Sequence, residues 1–419
     1  MAFADTYFKR FNTGKINISE KPAEDLFLSI VVPAYNEPEL CKSLMSLKRC
    51  IPANGSVEVL VIINSGENTN EDVISKNRAT FEKALKFAKK NNTGKLRFYI
   101  LNFENLPAKS AGVGTARKIG MDEALRRFNF LNKPQGIIAG FDADAEVSEN
   151  YLKEIETYFT TKPEIKAASI YFEHPVEGKE FPEHIYRNII NYELHLRYFV
   201  EALRIADFPF AYHTIGSAFA VRAGVYAAQG GMNRRKAGED FYFLQKIIPL
   251  GNYGEINTAE VIPSPRISDR VPFGTGAAIS KMIKNKTSDF GTYDFEIFLT
   301  LKKFFNAAPN FFDGFSYTED IPEIIKIFLE KNKFDEAFAE IKRNSPDINI
   351  FTKRFFGWFN AFRIIKFLNF AHETYCKKQA VYSQALKLLK YKYPEIKLPV
   401  SEKETLFLYR NIQKKDFNL

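Results

Sequence analysis

The sequence predicts an α/β fold with a mostly parallel sheet flanked by helices, continued by an α-helical C-terminal region. Three observations predict it. Between residues 27 and 262 short β-branched runs alternate with longer helical patterns, the order that buries strands between helices. A stretch holding three prolines and two glycines, IPSPRISDRVPFGTGAA, then breaks the alternation. Beyond it, residues 280–419 read as helices rich in Phe, Lys and Ile. The expected division is an N-terminal extension (1–26), an α/β domain (27–262), a loop (263–279) too long for a simple connector, and a helical region (280–419).

Taken in order, LFLSIVVPAY (Leu26 to Tyr35) reads as a fully buried strand, followed by a helix near Glu37 to Arg49. VEVLVIIN (Val57 to Asn64) is the second strand, with a helix from about Asn70 to Lys90. KLRFYILNF and GTARKIGMDEALRRF form the third strand and helix. QGIIAGF is the fourth strand, with a helix from about Ser148 to Thr160, where Ser148 is placed to cap. IKAASIYFE is the fifth strand.

Composition narrows the function classes. Apolar residues make up 45% of the 419, enough for a sizeable core. The net charge of +9 suits an anionic ligand or surface, but the basic residues are dispersed and no nucleic-acid module is present, so no nucleic-acid partner is expected. Cys41, Cys50 and Cys376 lack disulfide or zinc spacing, which fits a reducing compartment. The first 26 residues have no apolar core of signal-peptide length, and no run reaches the ~18 apolar residues of a membrane span. The expectation is a cytoplasmic protein, at most peripheral at the inner face of the membrane. Residues 350–370 mix aromatics with Lys353, Arg354, Arg363 and Lys366; they suit either a core helix or a contact with an anionic bilayer.

The chemistry concentrates in GIIAGFDADAEVSENYL, where Asp142, Asp144 and Glu146 alternate after an apolar strand. A calcium loop starting at Asp142 would need glycine sixth and glutamate twelfth, positions held by Val147 and Lys153. A helix cap accounts for Ser148 and Glu149 but not for Asp142 and Asp144. Two acids one residue apart at a strand's carboxyl end, the edge where open α/β sheets bind ligands, can hold one hard divalent cation, Mn²⁺ or Mg²⁺. AGVGTARKIG is not a dinucleotide fingerprint, since Arg117 stands where the third glycine belongs. A nucleotidyltransferase would carry its Gly-rich loop after the first strand, not the third.

LSIVVPAYNE, then FDADAEVSENYL, then GSAFAVRAGVYAAQGGMNRRKAGEDFYFLQKI (Gly216 to Ile247) together resemble family-2 glycosyltransferases of the GT-A fold. The resemblance covers roughly residues 27–262, and its specificity lies in three motifs in order. It implies a Rossmann-like sheet, a D-x-D motif and a nucleotide-sugar donor, of UDP or GDP type. The acceptor would be a hydroxyl on a glycan, lipid-linked or small-molecule compound, as in polysaccharide biosynthesis. Pro33 and Tyr35 would lie against base and ribose with Glu37 near the base. Asn64 stands where many relatives have a base-binding Asp, which leaves the base open. Gly112 and Gly114 would let backbone approach the nucleotide, and Arg117 would supply positive charge. Asp142 would contact ribose and metal, and Asp144 would bind the metal. Asp240 would be the general base of a single, inverting displacement by a hexosyltransferase, with Glu239 in support. Arg266 and Arg270 are expected to close over the diphosphate, with Gly274 and Gly276 as hinges. The alternative is a catalytically silent nucleotide-sugar-binding scaffold of a glycan-assembly complex; the presence of Asp142, Asp144 and Asp240 speaks against it.

Overall fold

The computed structural model of the chain describes residues 2–11, 15–109, 111–268, 274–285, 290–315 and 321–415. Contacts divide these into two compact units, one of residues up to 175 with 214–277, the other of 176–213 with 278–419. In the first unit the strands are β1 (Leu26–Ala34), β2 (Ser56–Gly66), β3 (Leu96–Leu106), β4 (Ile137–Gly140), β5 (Glu146–Val147), β6 (Ala167–Phe172), β7 (Phe219–Arg222) and β8 (Tyr253–Ile262). They form one sheet in the order β3-β2-β1-β4-β7-β6-β8-β5. Pairings among β1 to β4 are parallel, as is β6 with β8; β7 runs antiparallel to β4 and β6, and β5 to β8. The expected mostly parallel sheet is present, with β7 and β5 reversed.

The apolar runs form strands because both faces are covered. Every residue of β2 is buried, and all but Phe27 of β1. Each Val, Leu or Ile so enclosed contributes about 1.5–3 kcal/mol relative to exposure. The covering helices in chain order are α1 (Asp5–Phe11), α2 (Leu40–Arg49), α3 (Glu71–Asn91), α4 (Val113–Phe130) and α5 (Tyr151–Thr161). Asn70 caps α3 by accepting from the Asp72 amide, and Glu71 and Asp72 complement its dipole. α4 packs on β1 and β2, where a side chain at Gly120 would strike Val31. Ser148 does not cap α5, which starts three residues later; its Oγ instead accepts from the Glu260 amide and ties the turn to β8.

Spatial order runs β1, β2, β3 in one direction, while β4 lies on the other side of β1. A crevice opens at that reversal, at the strands' carboxyl ends, where open α/β sheets take their ligands.

The second unit begins with α6 (Glu183–Ile205); α7 (Ala223–Ala228) and α8 (Glu239–Ile247) return to the first. The expected 27–262 boundary therefore divides differently, because α6 buries Ile189, Leu194 and Tyr198 and packs with later helices. The later helices are α9 (Thr275–Lys284), which starts inside the expected 263–279 loop, α10 (Phe295–Ala307), α11 (Glu323–Lys331), α12 (Phe334–Arg343), α13 (Ile348–Trp358), α14 (Ala361–Thr374), α15 (Val381–Lys392) and α16 (Glu402–Lys414), of which α9, α10, α15 and α16 meet α6. Here the phenylalanine surplus has its use. Phe304, Phe305, Phe355, Phe356 and Phe359 meet with ring centroids 5.1–5.7 Å apart at their closest pairs, each pair adding about 0.5–1.5 kcal/mol beyond area. Within 350–370, Phe351, Phe355, Phe359, Phe367 and Leu368 are buried in this unit, leaving Lys353, Arg354, Phe362 and Lys366 outside. Among the described residues no helix is long and apolar enough to cross a membrane.

Candidate active site

The crevice at the strand reversal is a cavity of about 670 Å³ in the first unit. The end of β1 brings Pro33, Tyr35 and Glu37 to it. Asn36, at φ 53°, takes the left-handed conformation Asn tolerates and turns the chain so that Glu37 comes back to the wall. β2 contributes Asn64, and the start of α4 contributes Gly112 and Arg117. After β4, Phe141, Ala143 and Ala145 are buried while Asp142 and Asp144 alternate outward. Ser43 Oγ pins this turn by donating to the Ala143 carbonyl at 2.8 Å. α8 starts at Gly238, in the left-handed region at φ 68°, and its first turn presents Glu239 and Asp240.

Electrostatics organise these groups into two linked sets. Arg117 is 2% exposed; its Nη2 donates to Asp142 Oδ1 at 2.6 Å and its Nη1 to Glu239 Oε1. Arg266 Nε donates to Asp144 Oδ2 at 2.6 Å and its Nη2 to Glu37 Oε1. Four carboxylates thus share two guanidinium groups. Burial, then Asp144 and Asp142, push the Glu37 carboxyl up to about 8 against the pull of Arg266. Loss of water and the nearby Asp144 and Asp240 raise Asp142 to about 6, although Arg117 pulls the other way. Burial likewise raises Asp240, opposed by Arg117 and by amides including those of Phe241 and Gly216. Glu239 is committed: 3% exposed, it pairs with Arg117, and its carbonyl accepts from Asn233 Nδ2.

Most of the residues singled out from sequence meet here: Pro33, Tyr35, Glu37, Asn64, Gly112, Arg117, Asp142, Asp144, Glu239, Asp240 and Arg266 all line the cavity. Gly114 does not line it. A Cβ there would lie 2.1 Å from the Arg235 carbonyl, so the glycine makes room for the 234–236 loop rather than for a ligand. Gly276 similarly admits Ser268, 2.4 Å from where its Cβ would be. Arg270 lies outside the described residues. Arg117, expected to face an anion, instead joins two acids. The sequence reading missed Thr69, Gly216 and Lys236, which also line the cavity. Only the basic run Arg234-Arg235-Lys236, just before the Glu-Asp pair, signalled any of them.

A divalent cation fits the donor set but not as a closed protein cage. The available ligands are carboxylate oxygens, suited to a hard ion. Among the described residues no three His, Cys, Asp or Glu side chains group as a metal site, so Asp142 and Asp144 would share the ion with ligand oxygens.

No protein-family model matches the chain, and no curated protein does. Solved structures share parts of its chain path. S. aureus TarS 1–349 in complex with UDP-GlcNAc is similar at 13% identity, with a TM-score of 0.40, over 80% of this chain and 92% of that one. The complex of TarS 1–349 with UDP gives 14%, 0.38, 75% and 79%. Glucosyl-3-phosphoglycerate synthase from Mycobacterium tuberculosis, with Mn²⁺, UDP-glucose and glycerol 3-phosphate, gives 15%, 0.32, 67% and 92%.

Proposed function

We propose that the chain is a nucleotide-sugar-dependent glycosyltransferase that moves a hexosyl group to a hydroxyl acceptor with inversion. The observation that carries this is the convergence of Asp142, Asp144 and Asp240, from distant segments, in one cavity at the sheet's reversal point. Pro33, Tyr35 and Asn64 line the part we assign to the nucleoside of a UDP- or GDP-sugar. Asp142 and Asp144 would hold Mn²⁺ or Mg²⁺, which when bound supplies Lewis-acid stabilisation of the leaving diphosphate. Arg266, at the rim, is assigned to the same diphosphate. Asp240 takes the acceptor proton as the hydroxyl oxygen bonds to the sugar C1; the bond from C1 to the diphosphate oxygen breaks, and its electron pair leaves with the diphosphate. A raised carboxyl is the better proton acceptor for this work near neutral pH. Arg117 holds Glu239 and Asp142 in register, and its charge opposes the upward push of burial on Asp240.

The test is thermal shift and titration with a panel of UDP- and GDP-sugars, with and without Mn²⁺, alongside transfer assays. Wild type should bind one nucleotide class in a metal-dependent way, and Asp144→Asn should lose that dependence. Asp240→Asn should keep donor binding while transfer falls about 10²–10⁴-fold. Absence of binding by any nucleotide sugar would sink the proposal.

A further inference from the structure

Three consecutive cations precede the Glu-Asp pair, and the fold sends them to different places. Arg234 is exposed, and its charge reaches the Tyr7 hydroxyl of the N-terminal helix, where it only partly offsets the upward push of burial and Asp122. Arg235 lies over the Tyr242 ring, 3.6 Å from its centroid. Lys236 lines the cavity. The loop that carries it is built into place. The Arg235 amide donates to Asn233 Oδ1 at 3.1 Å, and Asn233 Nδ2 donates to the Glu239 carbonyl at 3.1 Å. On its other side the loop lies against α4: the Arg235 carbonyl fills the space above Gly114, and the Lys236 Cα is 3.7 Å from where a Cβ of Gly112 would be.

Lys236 differs from the other two cavity cations. Arg117 and Arg266 each already hold two carboxylates. Among the described residues Lys236 has no hydrogen-bond or ion-pair partner, in a cavity where acids outnumber cations. An anion entering this acidic cavity would be repelled unless a cation free of its own carboxylate met it. A lysine ammonium on a flexible stem suits a phosphate oxygen as a point charge.

From this we infer that Lys236 is a binding and specificity-determining residue for a phosphate group on a reactant of this cavity. The inference rests on the transferase reading for its choice of reactants: the phosphate is either the donor diphosphate or one carried by the acceptor.

The test is titration calorimetry, with Mn²⁺ present, of wild type, Lys236→Ala and Lys236→Arg with UDP, GDP, uridine, pyrophosphate and glycerol 3-phosphate, with Tm recorded for each protein. The expected result is at least a tenfold loss of affinity for one phosphate-bearing probe in Lys236→Ala, largely restored by Lys236→Arg. Uridine binding and Tm should be unchanged. Loss confined to the nucleoside diphosphates and pyrophosphate assigns Lys236 to the donor; loss confined to glycerol 3-phosphate assigns it to the acceptor. Equal binding of every phosphate probe by wild type and Lys236→Ala, or no binding of any by wild type, overturns the inference. Nucleoside diphosphate binding that ignores Lys236 would leave the transferase reading standing. Pyrophosphate binding lost in Lys236→Ala, from a protein that binds no nucleotide, would keep the lysine site and remove that reading.

Discussion

Replacing Arg117 by methionine would remove one guanidinium and leave two carboxylates facing each other, with Glu239 only 3% exposed. Breaking a buried pair from one side costs about 3–5 kcal/mol, because the remaining charge stays out of water. At roughly 2 °C or more of Tm per kcal/mol for a unit of this size, Arg117→Met should melt at least ~6 °C lower. A calorimetric Tm within ~2 °C of wild type would refute the role given to Arg117. Asp142, Asp144 and Asp240 could be singled out from sequence because acids after an apolar strand, or at a helix start, are out of place in a core and so carry a signal. Arg117 carried a signal too, but its destination did not follow from it. No spacing rule announces that a helix-borne cation will be bracketed by acids from two other segments.

Among the elements, α4 depends on a glycine for a reason that only its neighbour supplies. Gly114→Ala would place a methyl 2.1 Å from the Arg235 carbonyl, a backbone atom that cannot swing aside as a side chain would. Overpacking of this kind costs about 1–3 kcal/mol. The variant should be destabilised in a urea melt and, with the loop pushed away, should share the phosphate-binding defect of Lys236→Ala. Full stability with full binding would show that the 234–236 loop is not seated on α4. The strands β1, β2, β4 and β6 were readable as apolar runs because both their faces are covered, and β3 was readable from its run of apolar and aromatic residues although it is buried only at alternate positions. β8 was not, since YGEINTAEVI alternates buried with half-exposed positions and lacks such a run. β5, two residues long, is a strand only because Val261 and Ile262 pair with it.

The pH response belongs to the whole molecule. In the second unit burial lowers His195 to about 3, with Lys378 adding to the effect, and lowers His213 well below its ordinary value, with Arg197 and Arg204 adding. Both are then neutral when folded but protonated when unfolded below pH ~6.5. The unfolded state binds the extra protons, so stability falls as pH drops below about 6.5, for His195 down toward 3, by up to about 1.4 kcal/mol per pH unit for each histidine. The raised carboxyls of the first unit act with the opposite sign, so a comparison of variants isolates the histidine. His195→Asn, which can still reach the Thr292 hydroxyl that His195 Nδ1 meets at 2.7 Å, should lose less stability than wild type between pH 7 and 5 in urea melts. Parallel losses in the two proteins would mean His195 takes up its proton when folded. By itself the sequence determined the alternation of strand and helix and the carboxylates at the strand ends, because periodicity and misplaced charge are local properties of a chain. Only the tertiary structure decided which cations those acids hold, why Gly114 must be small, and that α6 joins the later helices. Each of these depends on atoms brought together from segments far apart in the chain.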